Sequence, residues 1–117
     1  MPSAFFGLSY DANDAMTVAT FWAAVLGRTL AEGANHDNAV VNAADVVKSG
    51  HRLAFHRVPE GKTVKNRLHF DLITTDFPAE LARLEQLGAR QLNEIRAGAH
   101  WVTLADPEGN EFDLIEG

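Results

Sequence analysis

Hydrophobic and polar residues are arranged along the chain in two similar halves, each with strand-like runs around one helical segment. Residues 4–10 form a β-prone run. Asp14 then precedes apolar residues at helical spacing, and Gly27 follows them, as expected for a helix N-cap and a C-terminal stop. Short strands are predicted next, at Ala39–Asn42 and Arg52–Val58.

The same pattern restarts after Pro59–Lys62, a polar and turn-rich segment that marks the best internal boundary. A strand is predicted at Arg67–Ile73. Asp76 and Gly88 then bracket a second helix, with Pro78 in its first turn, where a missing N–H costs nothing. The predicted buried stripe of this helix consists of Leu81, Leu84 and Leu87.

A terminal β-hairpin is the strongest local prediction. Its strands are Trp101–Leu104 and Glu111–Ile115, and its turn is Asp106–Asn110, where Pro presets φ for a β-turn and Gly and Asn readily adopt positive φ. Along the second strand, apolar residues alternate with Glu111 and Asp113. One face of that strand is therefore apolar and the other carries carboxylates.

Two connections have no firm assignment. The first is Ala43–Gly50, and the second follows the second helix, where Arg90–Leu92 and Arg96–His100 are predicted as an extended or loop connection. Each half is therefore predicted to be β-α-β-β, with a further short strand left open.

The halves form an internal repeat of about 60 residues, because Asp14 matches Asp76 and Gly27 matches Gly88. Two copies are too few for a solenoid, which needs at least three. We therefore predict an α+β fold of paired βαβββ modules, with two curved mixed sheets, each covered by a helix, around a shared cavity. The alternative is an unrelated α+β sandwich whose halves agree by chance.

Composition narrows the class of protein. The length of 117 residues suits one domain. The net charge of −6 argues against nucleic-acid and anionic-membrane partners. No apolar run is long enough to span a membrane. The absence of cysteine excludes disulfides, thiolate metal sites and a cysteine nucleophile. We expect a cytoplasmic protein.

The residues that carry a family resemblance are the first helix with Phe21-Trp22 and Leu26-Gly27, the strand segment Arg67–Asp71 and the terminal Asp106–Asp113. Together they resemble the vicinal oxygen chelate superfamily, which holds glyoxalase I, fosfomycin and bleomycin resistance proteins, and extradiol dioxygenases. More narrowly, the chain resembles the short glyoxalase-like domain proteins. The resemblance implies one domain of two modules, about 4–58 and 66–116, a small-molecule ligand and a homodimer.

The resemblance also implies a divalent-metal site. Metal-dependent members use one residue on the first strand of each module and a carboxylate on the last strand. These positions fall on His69 and Asp113 in the second module, but on Gly7, which offers no ligand, in the first. His56, on the last strand of the first module, is a candidate third ligand, and the set suits Zn²⁺, Mn²⁺, Fe²⁺ or Ni²⁺.

The candidate ligand-binding residues are His56, Arg67, His69, Trp101 and Asp113. Arg67 and Asp71 flank His69 on the same face of its predicted strand, where they can pair with each other or orient the imidazole. Trp101 offers a flat apolar wall, although core packing fits it nearly as well. No catalytic residue is assigned, and the other histidines, His36, His51 and His100, receive no role.

Three functions remain open. The first is a small-molecule-binding protein without a complete family metal site, as Gly7 indicates. The second is a divalent-metal-dependent lyase, isomerase or dioxygenase that uses His69 and Asp113, with His56 as the third ligand. The third is a regulatory or interaction module in which the cavity is incidental.

Overall fold

A computed structural model describes residues 2–44 and 51–117, so the unassigned connection Ala43–Gly50 lies mostly outside the described residues. The chain divides into two compact units, Met1–Gly61 and Lys62–Gly117. In the described residues, each unit contains one mixed sheet and one helix. The predicted α+β class with two mixed sheets is confirmed. None of the described helices has the length and apolar character needed to cross a membrane.

The first unit has a three-stranded sheet in its described part, with the strand order β1-β3-β2. β1 runs parallel to β3, and β2 is antiparallel to β3. An isolated bridge between Leu30 and Val41 extends the sheet beyond β2, at the place of a further short strand. The elements are β1 Gly7–Ala12, α1 Ala15–Leu26, β2 Asn38–Val41 and β3 Arg52–Arg57.

The first helix has the predicted caps. The Asp14 carboxylate accepts a hydrogen bond from the Thr17 N–H at 3.2 Å, and Gly27 ends the helix with φ 63°. The ring of His36 also hydrogen-bonds Asp14 at 2.7 Å. The bond from His36, and then the bond from Thr17, lower the pKa of Asp14. Trp22 is fully buried in the core of this unit.

The second unit has a four-stranded sheet in the order β4-β7-β6-β5. β4 is parallel to β7, and the remaining pairs are antiparallel, so the unit is a complete β-α-β-β-β module. The elements are β4 Phe70–Thr74, α2 Phe77–Leu87, β5 Arg90–Arg96, β6 His100–Ala105 and β7 Glu111–Glu116.

The terminal hairpin is confirmed. β6 extends the predicted strand to His100 and Ala105, and β7 extends it to Glu116, and Gly109 in the turn has φ 88°. Phe112 and Leu114 are each 1% exposed, as their alternation predicts. Their face of the sheet therefore belongs to the core.

Three predictions for the second unit were wrong in detail. The stretch after α2 is a strand, β5, with a bulge between Gln91 and Asn93. Because nearly all of its residues are exposed, the strand has no alternation of apolar and polar residues that would have marked it. Leu87 is 36% exposed, whereas Phe77 and Leu84 are buried. Asp76 stands at the N-cap, but its side chain makes no capping hydrogen bond.

Both first strands begin later than predicted. In the first unit, Phe5 and Phe6 precede β1 and contact side chains instead, Phe5 against the His51 ring at 4.5 Å and Phe6 under the Arg52 guanidinium at 4.8 Å. In the second unit, β4 begins at Phe70, and the segment before it is bonded to the hairpin through Asn66.

The hairpin turn is built around a buried carboxylate. Asp106, 4% exposed, accepts hydrogen bonds from the backbone N–H groups of Glu108 and Asn110, each at 2.9 Å. The amide nitrogen of the buried Asn110 side chain donates to both Asp106 oxygens, at 3.1 and 2.8 Å. Buried polar groups with this many partners fix one backbone conformation, because any other leaves them unpaired.

The same turn holds the segment that leads into β4. Asn66 donates through its side-chain amide to Asn110 Oδ1 at 2.8 Å, and through its backbone N–H to Glu111 Oε1 at 3.0 Å. Lys62 Nζ donates to Glu111 Oε2 at 3.0 Å. These contacts set the path of the chain immediately before Arg67 and His69.

Replacing Asp106 tests the turn. We expect Asp106→Ala to lower the free energy of unfolding by about 3 kcal/mol, because the buried Asn110 amide and two N–H groups lose a charged acceptor. Chemical denaturation measures this change. Asp76→Ala is the matched control, since that carboxylate makes no cap bond, and equal losses in the two variants would contradict the account.

Glu111 makes the stability of the fold pH-dependent. Burial raises its pKa, but the bonds from the Asn66 N–H and the Lys62 ammonium outweigh burial, so the pKa of Glu111 is lowered from 4.5. A lowered folded pKa gives stability that is present above the unfolded pKa and is lost as the pH falls through the folded pKa.

We therefore expect Glu111→Gln to cost roughly 1–2 kcal/mol at pH 7. This difference from wild type should shrink as the pH falls below 4.5, because wild-type Glu111 then becomes neutral. Urea denaturation of both proteins from pH 7 to pH 3 measures it. A difference that stays constant over that range would contradict the assigned role of the carboxylate.

Candidate functional site

His69 lies immediately before β4 and shortly after Asn66, whose backbone N–H donates to Glu111 at the start of β7. Its Nδ1 is 3.4 Å from Asp71 Oδ1 and 3.6 Å from Asp113 Oδ2. The structure thus brings together two residues predicted as a pair, His69 and Asp113. It adds Asp71, which was predicted to flank His69 and either to pair with Arg67 or to orient the imidazole.

Asp113 is held by a neighbour on the adjacent strand. Thr103 on β6 stands directly opposite Asp113 on β7, and its hydroxyl donates to Asp113 Oδ1 at 2.5 Å. The side chain of Asp113 is 17% exposed, against 42% for His69 and 59% for Asp71. The carboxylate therefore has one oxygen bonded to Thr103 and the other directed to His69.

The strand pairing places these side chains in a line across the sheet. Asp71, Asp113 and Thr103 are successive partners on β4, β7 and β6, and we call them the polar row. Two residues further along each strand, on the same face, a second line is apolar. This apolar row consists of Ile73, Ile115 and Trp101.

The donor set at His69 fits a small divalent cation. One atom from each of His69, Asp71 and Asp113 lies within 4.8 Å of the other two. Ligand atoms about 2.1 Å from an ion stand about 3.4 Å apart in a tetrahedral set, close to the spacings from His69 to the two carboxylates. Imidazole with carboxylate suits zinc, manganese, iron or nickel.

The first unit has no ligand at the matching positions. When the two helix caps and the strand registers are aligned, His69 matches Gly7, and Asp113 matches Ala54. A Cβ atom on Gly7 would lie 2.7 Å from the Arg52 carbonyl oxygen. Position 7 is therefore closed to any side chain unless the backbone moves.

The predicted third ligand, His56, lies near the end of β3 in the first unit. Its Nδ1 pairs with Asn38 Oδ1 at 2.9 Å. Its neighbour in the parallel strand is Asp11. Among the described residues, the metal-compatible group contains Asp71 in addition to His69 and Asp113, and does not contain His56.

The other predicted ligand residues differ in exposure. Arg67 is exposed and forms no ion pair among the described residues 2–44 and 51–117. Trp101 is half-buried in the apolar row.

His100, which received no role, is a structural residue. Its side chain is 11% exposed, its Nε2 is 2.8 Å from Glu94 Oε2, and its ring packs on Phe77 at 4.3 Å. The hydrogen bond from His100 lowers the pKa of Glu94. Neither this role nor that of Thr103 has a signal in the sequence, because both depend on strand register.

Known proteins share this fold. The model of the Glyoxalase-like domain family matches residues 7–115. No curated protein matches the chain. The similar solved structures include fosfomycin resistance protein FosX from Mesorhizobium loti, which is 13% identical with a TM-score of 0.72 and covers 100% of this chain and 94% of that one.

A second similar structure is a FosX mutant from Listeria monocytogenes complexed with Mn(II) and a dihydroxypropylphosphonic acid. It is 12% identical with a TM-score of 0.74 and covers 98% of this chain and 90% of that one. A third is lactoylglutathione lyase from Agrobacterium tumefaciens, which is 17% identical with a TM-score of 0.66 and covers 100% and 96% of the two chains.

These likenesses show the fold alone, and the family match confirms the predicted resemblance to the glyoxalase-like domain proteins. The family assignment rests on the sequence match, which spans nearly the whole chain. The protein belongs to the Glyoxalase-like domain family.

Proposed function

We propose that this protein binds a small molecule on the second sheet and lacks a complete family-type metal site. The observation that carries the proposal is the polar row next to the apolar row, with His69 beside Asp113. Such a face can hold one polar and one apolar part of the same ligand. The likeness to a fold that holds a small phosphonate supports it.

The incomplete metal site follows from the first unit. Gly7 and Ala54 stand where the second unit has His69 and Asp113, and neither has a ligand atom in its side chain. The Arg52 carbonyl lies so close to Gly7 that a side chain would not fit, which supports a packing reason for glycine at this position. The second unit alone supplies the polar groups at these positions.

In this proposal each candidate residue has a distinct task. His69 and Asp113 hydrogen-bond the polar part of the ligand, and the half-buried Trp101 packs against its apolar part. Arg67 and His56 complete the proposed set of ligand-binding residues. Arg67 is exposed and offers a charged donor to an anionic group.

A second candidate function is a divalent-metal-dependent lyase, isomerase or dioxygenase. The spacing of His69, Asp71 and Asp113 favours it, because one ion can be reached by an atom of each. His56 remains the alternative third ligand. A bound zinc, manganese, iron or nickel ion would supply Lewis-acid stabilisation of substrate oxygens. His69 and Asp113 would hold it, and Thr103 would orient the carboxylate.

Metal titration separates the two candidates. Protein purified without tag or chelator is analysed for metal and titrated with Zn²⁺ and Mn²⁺, in wild type and three variants. If the second candidate holds, His69→Ala weakens binding by more than about 100-fold, beyond the usual cost of an outer-shell change. If Asp71 is the third ligand, Asp71→Asn weakens metal binding and His56→Ala leaves it unchanged. If His56 is the third ligand, His56→Ala weakens metal binding and Asp71→Asn leaves it unchanged.

Absence of binding by wild type would leave the small-molecule-binding proposal ahead. Thermal-shift screening of aromatic and hydroxylated metabolites then tests it, with Trp101→Ala as the ligand-site variant. Val64→Ala is the matched control, since that residue is exposed outside both rows. A screen without any stabilising compound would favour the third function, a regulatory or interaction module.

We further propose that the two units act as one vicinal oxygen chelate domain and that the protein is a cytoplasmic homodimer without nucleic-acid or membrane partners. The match across residues 7–115 supports the single domain, and the net charge of −6 supports the absence of anionic partners. Phe5 and Phe6, which are 62% and 72% exposed, support pairing between chains, because large exposed apolar groups mark interfaces.

Light scattering after size exclusion tests the dimer. We expect twice the 12.8 kDa mass of one chain for wild type, and the mass of one chain for Phe5→Ser combined with Phe6→Ser. Leu92→Ser is the control, as it removes an exposed apolar residue from β5 instead. A single-chain mass for wild type would contradict the proposal.

A further inference from the structure

The two oxygens of Asp113 have different partners. Oδ1 accepts the hydroxyl of Thr103 at 2.5 Å, and Oδ2 lies 3.6 Å from His69 Nδ1. The contact to Thr103 is partly buried, so it competes little with water. A hydroxyl donor on one oxygen fixes the rotation of the carboxylate and leaves one oxygen facing His69.

The internal repeat places an apolar residue at the position of this hydroxyl in the first unit. Asp113 matches Ala54 of the first unit, and the antiparallel neighbour of Ala54 is Val40, which therefore matches Thr103. The third member of the polar row, Asp71, matches Ser9. The same module thus accepts valine where the second unit has threonine.

The polar row also carries an electrostatic cost. Asp71 and Asp113 are direct partners on parallel strands, and like charges opposite one another destabilise a sheet. No lysine or arginine in the described ranges 2–44 and 51–117 forms an ion pair with either carboxylate, and His69 is the basic group beside them. A residue that orients one of these carboxylates is therefore better explained by ligand binding than by stability.

We propose that Thr103 is the positioning residue of this site, and that it presents Asp113 to the ligand through one oxygen only. The proposal rests on the proposed function of the polar row. It also narrows the ligand group at Asp113 to one that needs a single acceptor, such as a hydroxyl or one metal ion. A guanidinium, which pairs with both oxygens of a carboxylate, is disfavoured because the Thr103 hydroxyl already takes one acceptor site of Oδ1 and crowds the other.

Two variants isolate the hydroxyl. Thr103→Val removes it and keeps the shape, and we expect the variant to fold because Val40 fills the matching position. Thr103→Ser restores the hydroxyl. Crystal structures of wild type and both variants show the orientation of Asp113, and a Mn²⁺ titration followed by electron paramagnetic resonance gives the dissociation constants.

We expect Asp113 to rotate in Thr103→Val, so that Oδ2 no longer faces His69, and to keep its place in Thr103→Ser. Where wild type binds Mn²⁺, as the second candidate function requires, we expect its affinity to fall by about 10–100-fold in Thr103→Val and to recover in Thr103→Ser. Thr29→Val is the matched control, since it removes a hydroxyl that bonds Asn42 at 2.9 Å in the first unit. Its Mn²⁺ affinity should equal that of wild type.

An unchanged Asp113 in Thr103→Val overturns the proposal, as does a loss that Thr103→Ser fails to restore. The crystal structures decide the positioning role even if wild type binds no Mn²⁺. A wild type that binds neither Mn²⁺ nor any screened compound, but whose Asp113 rotates in Thr103→Val, would contradict the proposed function and leave the positioning role of Thr103 standing.

Discussion

The second unit depends on the buried carboxylate of Asp106 in the β6–β7 turn. Its bonds to Asn110 fix the turn, and Asn110 in turn accepts a bond from Asn66 on the segment before β4. Glu111 holds the same segment through its own carboxylate. Through these bonds, the β6–β7 turn fixes the chain at Asn66, shortly before His69.

This coupling explains which parts of the fold could be predicted. The hairpin was accessible because turn chemistry and alternation are local properties of neighbouring residues. The start of β4 could not be predicted, because the hydrogen bond from Asn66 to Glu111 joins residues far apart in sequence. β5 was missed for a different reason, since an edge strand exposed on both faces has no alternation to detect. The bulge after Gln91 weakened the pattern further.

The candidate site was predictable in part. Strand parity and the family resemblance indicated His69 and Asp113, and the structure places them 3.6 Å apart. Parity cannot say which residues of different strands become neighbours, because register depends on the packed sheet. The contact of Thr103 with Asp113 therefore had no signal in the sequence. The place of His56 in a ligand set stays a prediction.

The internal repeat separates what the fold requires from what the site adds. Buried residues agree between the units at matching positions, as Val41 with Leu104 and Phe55 with Leu114 show. On the opposite face the chemistry differs, with Ala54 matching Asp113. A module that folds with small or apolar residues at these positions does not need adjacent carboxylates, and their mutual repulsion opposes folding. The repeat therefore supports the proposal that the polar row serves binding, on a scaffold whose buried residues lie on the other face.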